Sequence, residues 1–169
     1  MLNLEQTENQ AIMIPNIGIA TKNLKKSTTI LATILSNEMT LYVKTRKFHW
    51  NISGNSFMEL HKLLEEQYRI LETNIDEVAE RISQLGEKTI GTMHEFIENS
   101  TLKESPKQYT SQKQMLQELL ENHEQLATEF RAFIPTFEND NQDMGSADFV
   151  TGLLQQHEKM AWILRRYQA

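Results

Sequence analysis

One periodic segment, residues 57–85, does most to limit how this chain can fold. Its apolar residues recur at steps of three and four, and they are Phe57, Leu60, Leu64, Leu71, Ile75, Val78, Ile82 and Leu85. An α-helix has about 3.6 residues per turn, so this spacing puts them on one side of a helix. The segment is therefore predicted to form one long amphipathic helix that buries this apolar stripe.

A second set of residues lies on another side of the same predicted helix, and its members are His61, Glu65, Asp76 and Glu80. At about 100° per residue these four fall in an arc about 100° wide, centred roughly 120° from the apolar stripe. They are thus predicted to face away from the core of their own chain. Imidazole and carboxylate ligands together suit iron, zinc or manganese better than calcium, so these residues predict a metal site and leave the metal open.

The distance along the helix indicates that neither pair is a complete site. Glu65 and Asp76 are eleven residues apart, which is about 16 Å of helix. One metal centre with bonds of about 2 Å cannot span that gap. Each pair is therefore predicted to be half of a site. A second copy of the helix, antiparallel across a two-fold axis, would place His61 and Glu65 of one chain beside Asp76 and Glu80 of the other.

His49 is predicted to join the histidine half of the site. It ends the preceding helical segment, and a tight turn over residues 51–55, which contains Gly54, returns His61 close to it. The alternative is a solvated polar face, because charged residues are rarely buried and this helix carries further acids at Glu59, Glu66, Glu72 and Glu77. Two of only five histidines, combined with ligand pairs at i, i+4 spacing, favour the metal interpretation.

These residues resemble the signature of a known family. The resemblance is carried by the tripeptide His49-Trp50-Asn51, by His61 and Glu65, and by the Asp76-x-x-x-Glu80 pair. This motif is similar to that of the Dps family, the miniferritins or DNA-binding proteins from starved cells. The likeness extends over residues 24–167, and the segment from Asp143 to Arg165 looks like the ending of many members. One position differs, since relatives commonly carry Asp where this chain has Glu65.

The resemblance implies a function as well as a fold. It implies a ferroxidase centre at the two-fold interfaces of a hollow dodecamer, where Fe²⁺ is oxidised by hydrogen peroxide or oxygen and stored as ferric mineral, protecting against oxidative stress. Peroxide is the usual oxidant in the family. Trp50 would absorb oxidising equivalents near the site, although the packing of a helix end needs the same residue. Asp143 and Asp148 would line a three-fold pore for iron entry, although capping of the last helix also accounts for such acids.

The rest of the chain predicts an all-α, ferritin-like four-helix bundle. Only six glycines and three prolines occur, with little β-branched alternation. The long connection between the second and third helices, with a short helix over residues 92–99, allows the crossover of ferritin-like bundles. No Glu-x-x-His motif occurs, so a di-iron site inside the bundle is not predicted. His123 and His157 lie on apolar stripes and are predicted to be hydrogen-bonded core residues.

Composition limits the partners. We expect a flexible N-terminal arm over residues 1–21 and a single domain over residues 22–169. The chain has no cysteine, no apolar run of eighteen residues and no secretion signal, so a soluble cytoplasmic protein is expected. The net charge is −6 and residues 1–21 contain no Lys or Arg, so neither DNA nor a membrane is an expected partner. A DNA-coating nucleoid protein is the weaker alternative.

Overall fold

The computed structural model of the protein describes residues 13–106 and 111–168. The described residues form five α-helices, and a π-helix over Thr136–Asp140 continues the fourth. The α-helices are α1 (Thr21–Asn51), α2 (Phe57–Gln84), α3 (Met93–Asn99), α4 (Gln112–Pro135) and α5 (Met144–Arg166). The described residues contain no strand, so the prediction of an all-helical fold is confirmed.

The long helices pack as two antiparallel hairpins, α1 with α2 and α4 with α5. The connection between the hairpins carries α3, which packs against α1. The largest fully buried side chains come from both hairpins and from the π-helix, among them Leu41, Phe48, Phe130 and Phe137. This is the predicted ferritin-like bundle with a short helix in its crossover.

The helix ends follow from local chemistry. α2 ends just before Gly86, whose φ of +87° favours glycine. A Cβ there would also lie 2.5 Å from the Cδ of Pro15. α3 begins with a capping box, in which Thr92 and Glu95 satisfy each other's backbone N–H groups. Phe57, predicted to lie on the buried apolar stripe, is 40% exposed, and the centre of its ring lies 5.2 Å from that of His61.

The predicted N-terminal arm lies partly outside the described residues, which begin at Met13. Residues 13–20 are not helical, and Pro15 lies against Gly86. The arm over residues 1–21 and the domain over residues 22–169 stay predictions. No described helix is long and apolar enough to cross a membrane.

Candidate metal site

Two reciprocal hydrogen bonds hold His49 and His61 together. The Nδ1 of His49 lies 2.8 Å from the carbonyl oxygen of His61, and the Nδ1 of His61 lies 3.0 Å from the carbonyl oxygen of His49. A carbonyl oxygen only accepts, so each Nδ1 carries a proton, and the tautomer with its proton on Nδ1 has its lone pair on Nε2. The rings stack with their centres 3.7 Å apart. The turn between α1 and α2 therefore brings the two imidazoles together as predicted, each with a nitrogen able to bind a metal.

Glu65 lies one helical turn after His61 and is held by Arg69. Its Oε1 accepts hydrogen bonds from Nη2 of Arg69 at 2.6 Å and from Nε at 3.1 Å. The hydrogen bond from Arg69 is the main reason that the pKa of Glu65 lies below its usual value, and the two nearby histidines act in the same direction. Glu65 thus presents an ionised carboxylate near the imidazoles, already bound by a guanidinium.

Asp76 and Glu80 lie farther along α2 and are exposed. Neither carboxylate forms a hydrogen bond or an ion pair with any other residue in the described ranges. Across residues 13–106 and 111–168, no three His, Asp or Glu side chains are grouped so that they could hold a metal ion. One chain therefore offers two separate sets of candidate ligands rather than a complete site. The assignment of His49, His61, Glu65, Asp76 and Glu80 as one ligand set stays a prediction.

A group of aromatic residues with one arginine borders the histidine pair. The guanidinium of Arg46 lies 4.6 Å from the ring centre of Tyr68 and 5.3 Å from that of Trp50. The rings of Tyr68 and His49 pack edge to face, with their centres 5.2 Å apart. A hydrogen bond to the Tyr42 hydroxyl is the main reason that the pKa of Arg46 is raised. From the sequence, Arg46 was interpreted as part of a basic cluster with Lys44 and Lys47 on a solvated face, so its packing against these rings was not predicted, although Tyr42, Arg46 and Trp50 follow one another at i, i+4 spacing.

The two acids near the start of α5 have different surroundings. Asp143 is fully buried, where its Oδ1 accepts from the backbone N–H of Ser146 at 3.0 Å and from Nη2 of Arg81 at 3.1 Å. It therefore caps α5 and pairs with α2. Asp148 is exposed. The capping interpretation is thus correct for Asp143. A pore would need further copies of the chain, so the role of both acids in iron entry stays a prediction.

A second polar cluster lies inside the bundle. The Nδ1 atoms of His123 and His157 are 2.9 Å apart, and Nε2 of His157 lies 2.7 Å from Oε1 of Glu38. All three side chains are fully buried. Burial, and then the neighbouring His157, hold the pKa of His123 well below its usual range. The predicted hydrogen-bonded core histidines are confirmed. Glu38 was missed, although it continues the α1 stripe of Leu31 and Leu35.

Comparisons with known proteins agree with this architecture. A family model described as a ferritin-like domain matches residues 28–169. A low temperature-induced protein of Nostoc sp. (strain PCC 7120) is 40% identical over 152 residues, which cover 90% of this chain and 85% of that protein. DNA protection during starvation protein 2 of Bacillus anthracis is 34% identical over 127 residues, which cover 75% of this chain and 86% of that protein.

A solved structure gives the same result. A Dps protein from Vibrio cholerae O1, described as a member of a broad superfamily of ferritin-like diiron-carboxylate proteins, is 28% identical, with a TM-score of 0.86. The match covers 94% of this chain and 99% of that one. The bundle and the matched domain make this a ferritin-like protein. Within that class, the chain belongs to the Dps family, the miniferritins. The resemblance found in the histidine and carboxylate spacing is thereby confirmed.

Proposed function

We propose that this protein is a ferroxidase that oxidises Fe²⁺ at sites shared by two subunits and stores the ferric product inside a hollow dodecamer. The observation that carries the proposal is the histidine pair. Each imidazole gives its Nδ1–H to a backbone carbonyl oxygen and keeps Nε2 for a metal. The two carboxylates that would complete the site, Asp76 and Glu80, are exposed and too far along α2 to reach it in the same chain.

Fe²⁺ is the substrate of the proposed reaction. The imidazoles of one subunit and the carboxylates of its partner would hold Fe²⁺ with open positions for the oxidant. One hydrogen peroxide accepts two electrons, one from each of two Fe²⁺ ions, and with two protons gives two water molecules and two Fe³⁺. Carboxylates favour the Fe³⁺ product because they are hard anionic ligands. Removing both electrons in this way consumes peroxide without releasing hydroxyl radicals.

Trp50 is proposed as an electron donor near the site. Its side chain is 65% exposed, adjoins His49 in the sequence and lies beside the Arg46 guanidinium. We expect an oxidising equivalent that leaves the metal to be taken up by this electron-rich ring.

The direct test is stopped-flow measurement of Fe²⁺ oxidation, with hydrogen peroxide and with oxygen in parallel. We expect faster oxidation with peroxide and a stoichiometry of two Fe²⁺ per peroxide. Oxidation at the rate of protein-free buffer with both oxidants would contradict the proposal. Faster oxidation with oxygen would leave the ferroxidase in place and change only its oxidant.

DNA coating is the alternative function, since relatives bear the name DNA protection during starvation protein. For this chain we propose protection without stable DNA binding, because its net charge is −6 and DNA affinity depends on Lys and Arg contacts with phosphates. A gel shift with duplex DNA at about 0.15 M salt, without added iron, should show no complex. Tight binding that survives removal of the first twenty residues would contradict this.

A further inference from the structure

The register of the proposed interface brings a third pair of residues together. His61 and Glu80 are equally far from the point between residues 70 and 71, and so are Glu65 and Asp76. An antiparallel copy of α2 that faces these residues in pairs must therefore cross at that point. Arg69 and Glu72 are also equally far from it. The register that assembles the metal site thus places Arg69 of each subunit opposite Glu72 of the partner subunit.

Both residues lie on the correct side of α2. At about 100° per residue they fall in the same arc as the ligands, and both are exposed in the single chain. Glu72 is oriented by a short chain of hydrogen bonds, because its Oε1 accepts from the Tyr42 hydroxyl at 3.3 Å and that hydroxyl accepts from Nη1 of Arg46 at 2.7 Å. A carboxylate is therefore held on the face that the partner would cover.

Arg69 binds the carboxylate that would hold the metal. In the single chain both of its hydrogen bonds to Glu65 go to Oε1, at 2.6 and 3.1 Å. A guanidinium and a cation compete for such an oxygen, because both are attracted by the same negative charge. Release of Glu65 would be favoured by any other carboxylate that Arg69 could reach.

We propose that Arg69 is a positioning residue that exchanges partners when two subunits meet. It leaves Glu65 of its own chain and pairs with Glu72 of the partner subunit, which frees the Glu65 carboxylate to bind Fe²⁺. The inference rests on the proposed shared site. Two such pairs form beside the two-fold axis, within a few Å of the crossing point, where the distance between the helices depends least on their crossing angle. Subunit association and completion of the metal site are thereby coupled.

The exchange predicts opposite effects for single substitutions of its two residues. Glu72→Gln removes the negative charge of the partner's carboxylate, so Arg69 stays on Glu65 and the affinity for Zn²⁺, used as a redox-inactive probe, should fall about two- to fivefold. Arg69→Gln frees Glu65, so the same affinity should stay unchanged or rise. Both variants should weaken subunit association. Isothermal titration calorimetry with Zn²⁺ is run at a concentration where every variant is assembled, and native mass spectrometry over a dilution series measures subunit association.

Three further variants complete the test. Glu66→Gln removes one charge from α2 on a side that faces the groove with α5, and it should match the wild type in both readouts. Arg69→Glu should weaken association more than Arg69→Gln, because it places like charges opposite each other. Adding Glu72→Arg to Arg69→Glu should restore association by returning opposite charges across the axis.

The outcomes separate this inference from the proposed function. Zn²⁺ affinities that move in the same direction in Glu72→Gln and Arg69→Gln, or that match Glu66→Gln in both, would overturn the exchange while leaving the shared site in place. Wild-type protein that binds no Zn²⁺, or that binds it equally well after Asp76→Ala and Glu80→Ala, would overturn the shared site and the exchange with it.

Discussion

Two regions of this bundle each bring together two histidines and one glutamate, and they use these residues differently. In the core, Glu38, His123 and His157 form a chain of hydrogen bonds that lies inside one subunit. At the end of α1, the rings of His49 and His61 bond through Nδ1 to backbone carbonyl oxygens, and each Nε2 is left for another ligand. The first cluster joins three helices, and the second leaves two ring nitrogens for the proposed metal.

The difference shows that residue type and spacing do not decide what a histidine does. The role of each histidine depends on which of its ring nitrogens forms a hydrogen bond within the chain. In the core, Nε2 of His157 bonds to Glu38, and Nε2 of His123, which has no hydrogen-bond partner within the described residues, lies fully enclosed. In His49 and His61, hydrogen bonds to backbone carbonyl oxygens fix the tautomer. The carboxylates that would complete the ligand set, Asp76 and Glu80, lie on the outer face of α2.

The largest expected effect follows from removing the acidic half of the site. Asp76→Ala with Glu80→Ala should reduce Fe²⁺ oxidation to the rate of protein-free buffer, because the histidine half alone lacks two of its five proposed ligands. Stopped-flow kinetics measures this. The matched control is Glu66→Ala with Glu77→Ala, which removes two acids of α2 from its other side and should leave the rate unchanged. Equal losses in both variants would make the effect one of charge alone.

The core cluster should respond in stability rather than in iron oxidation. His157→Leu leaves Glu38 buried without its partner, so the free energy of unfolding should fall by about 3–5 kcal/mol. Replacing Glu38, His123 and His157 together by Leu should lose much less, because no buried polar group is left unpaired. Urea denaturation checks both variants. A triple variant that is less stable than His157→Leu would show that the hydrogen bonds themselves stabilise the fold.

The sequence predicted the architecture because that information is local. Apolar spacing placed the long helices, and the turn before α2 implied that His49 and His61 meet. Partners between distant segments were not predicted, such as Arg81 for Asp143, which are sixty-two residues apart, or Glu38 for His157. Nothing in the spacing of one helix specifies which charged side chain packs opposite it in the folded bundle.

The pH dependence of stability should report on the buried His123. The pKa of His123 in the folded chain lies well below its usual value because of burial, so below about pH 6.5 the unfolded chain binds a proton that the folded chain does not. Stability is complete above that pH and is lost as the pH falls, with a slope of about 1.4 kcal/mol per pH unit from this residue. Urea denaturation at several pH values should show a smaller slope in His123→Leu. Identical slopes would contradict the assignment.

The smallest expected effect concerns iron entry. Asp148→Asn removes one exposed charge per chain, so iron uptake should slow severalfold while the stability of the protein stays the same. Asp143→Asn is the comparison, because this carboxylate is buried with Arg81 and its loss should lower stability by about 1–2 kcal/mol. Uptake curves and thermal unfolding report the two effects. Unchanged uptake in Asp148→Asn would remove this residue from the entry route.

The central claim, that each site is divided between two subunits, is tested most directly by mixing two inactive variants. One carries His49→Ala and His61→Ala, and the other carries Asp76→Ala and Glu80→Ala. They are dissociated, mixed in equal amounts and reassembled, with co-assembly verified by native mass spectrometry. Random pairing makes half of the interfaces mixed, and each mixed interface holds one intact site of two. Activity should therefore return to about a quarter of the wild-type value. Activity that stays at the level of the separate variants would contradict the shared site.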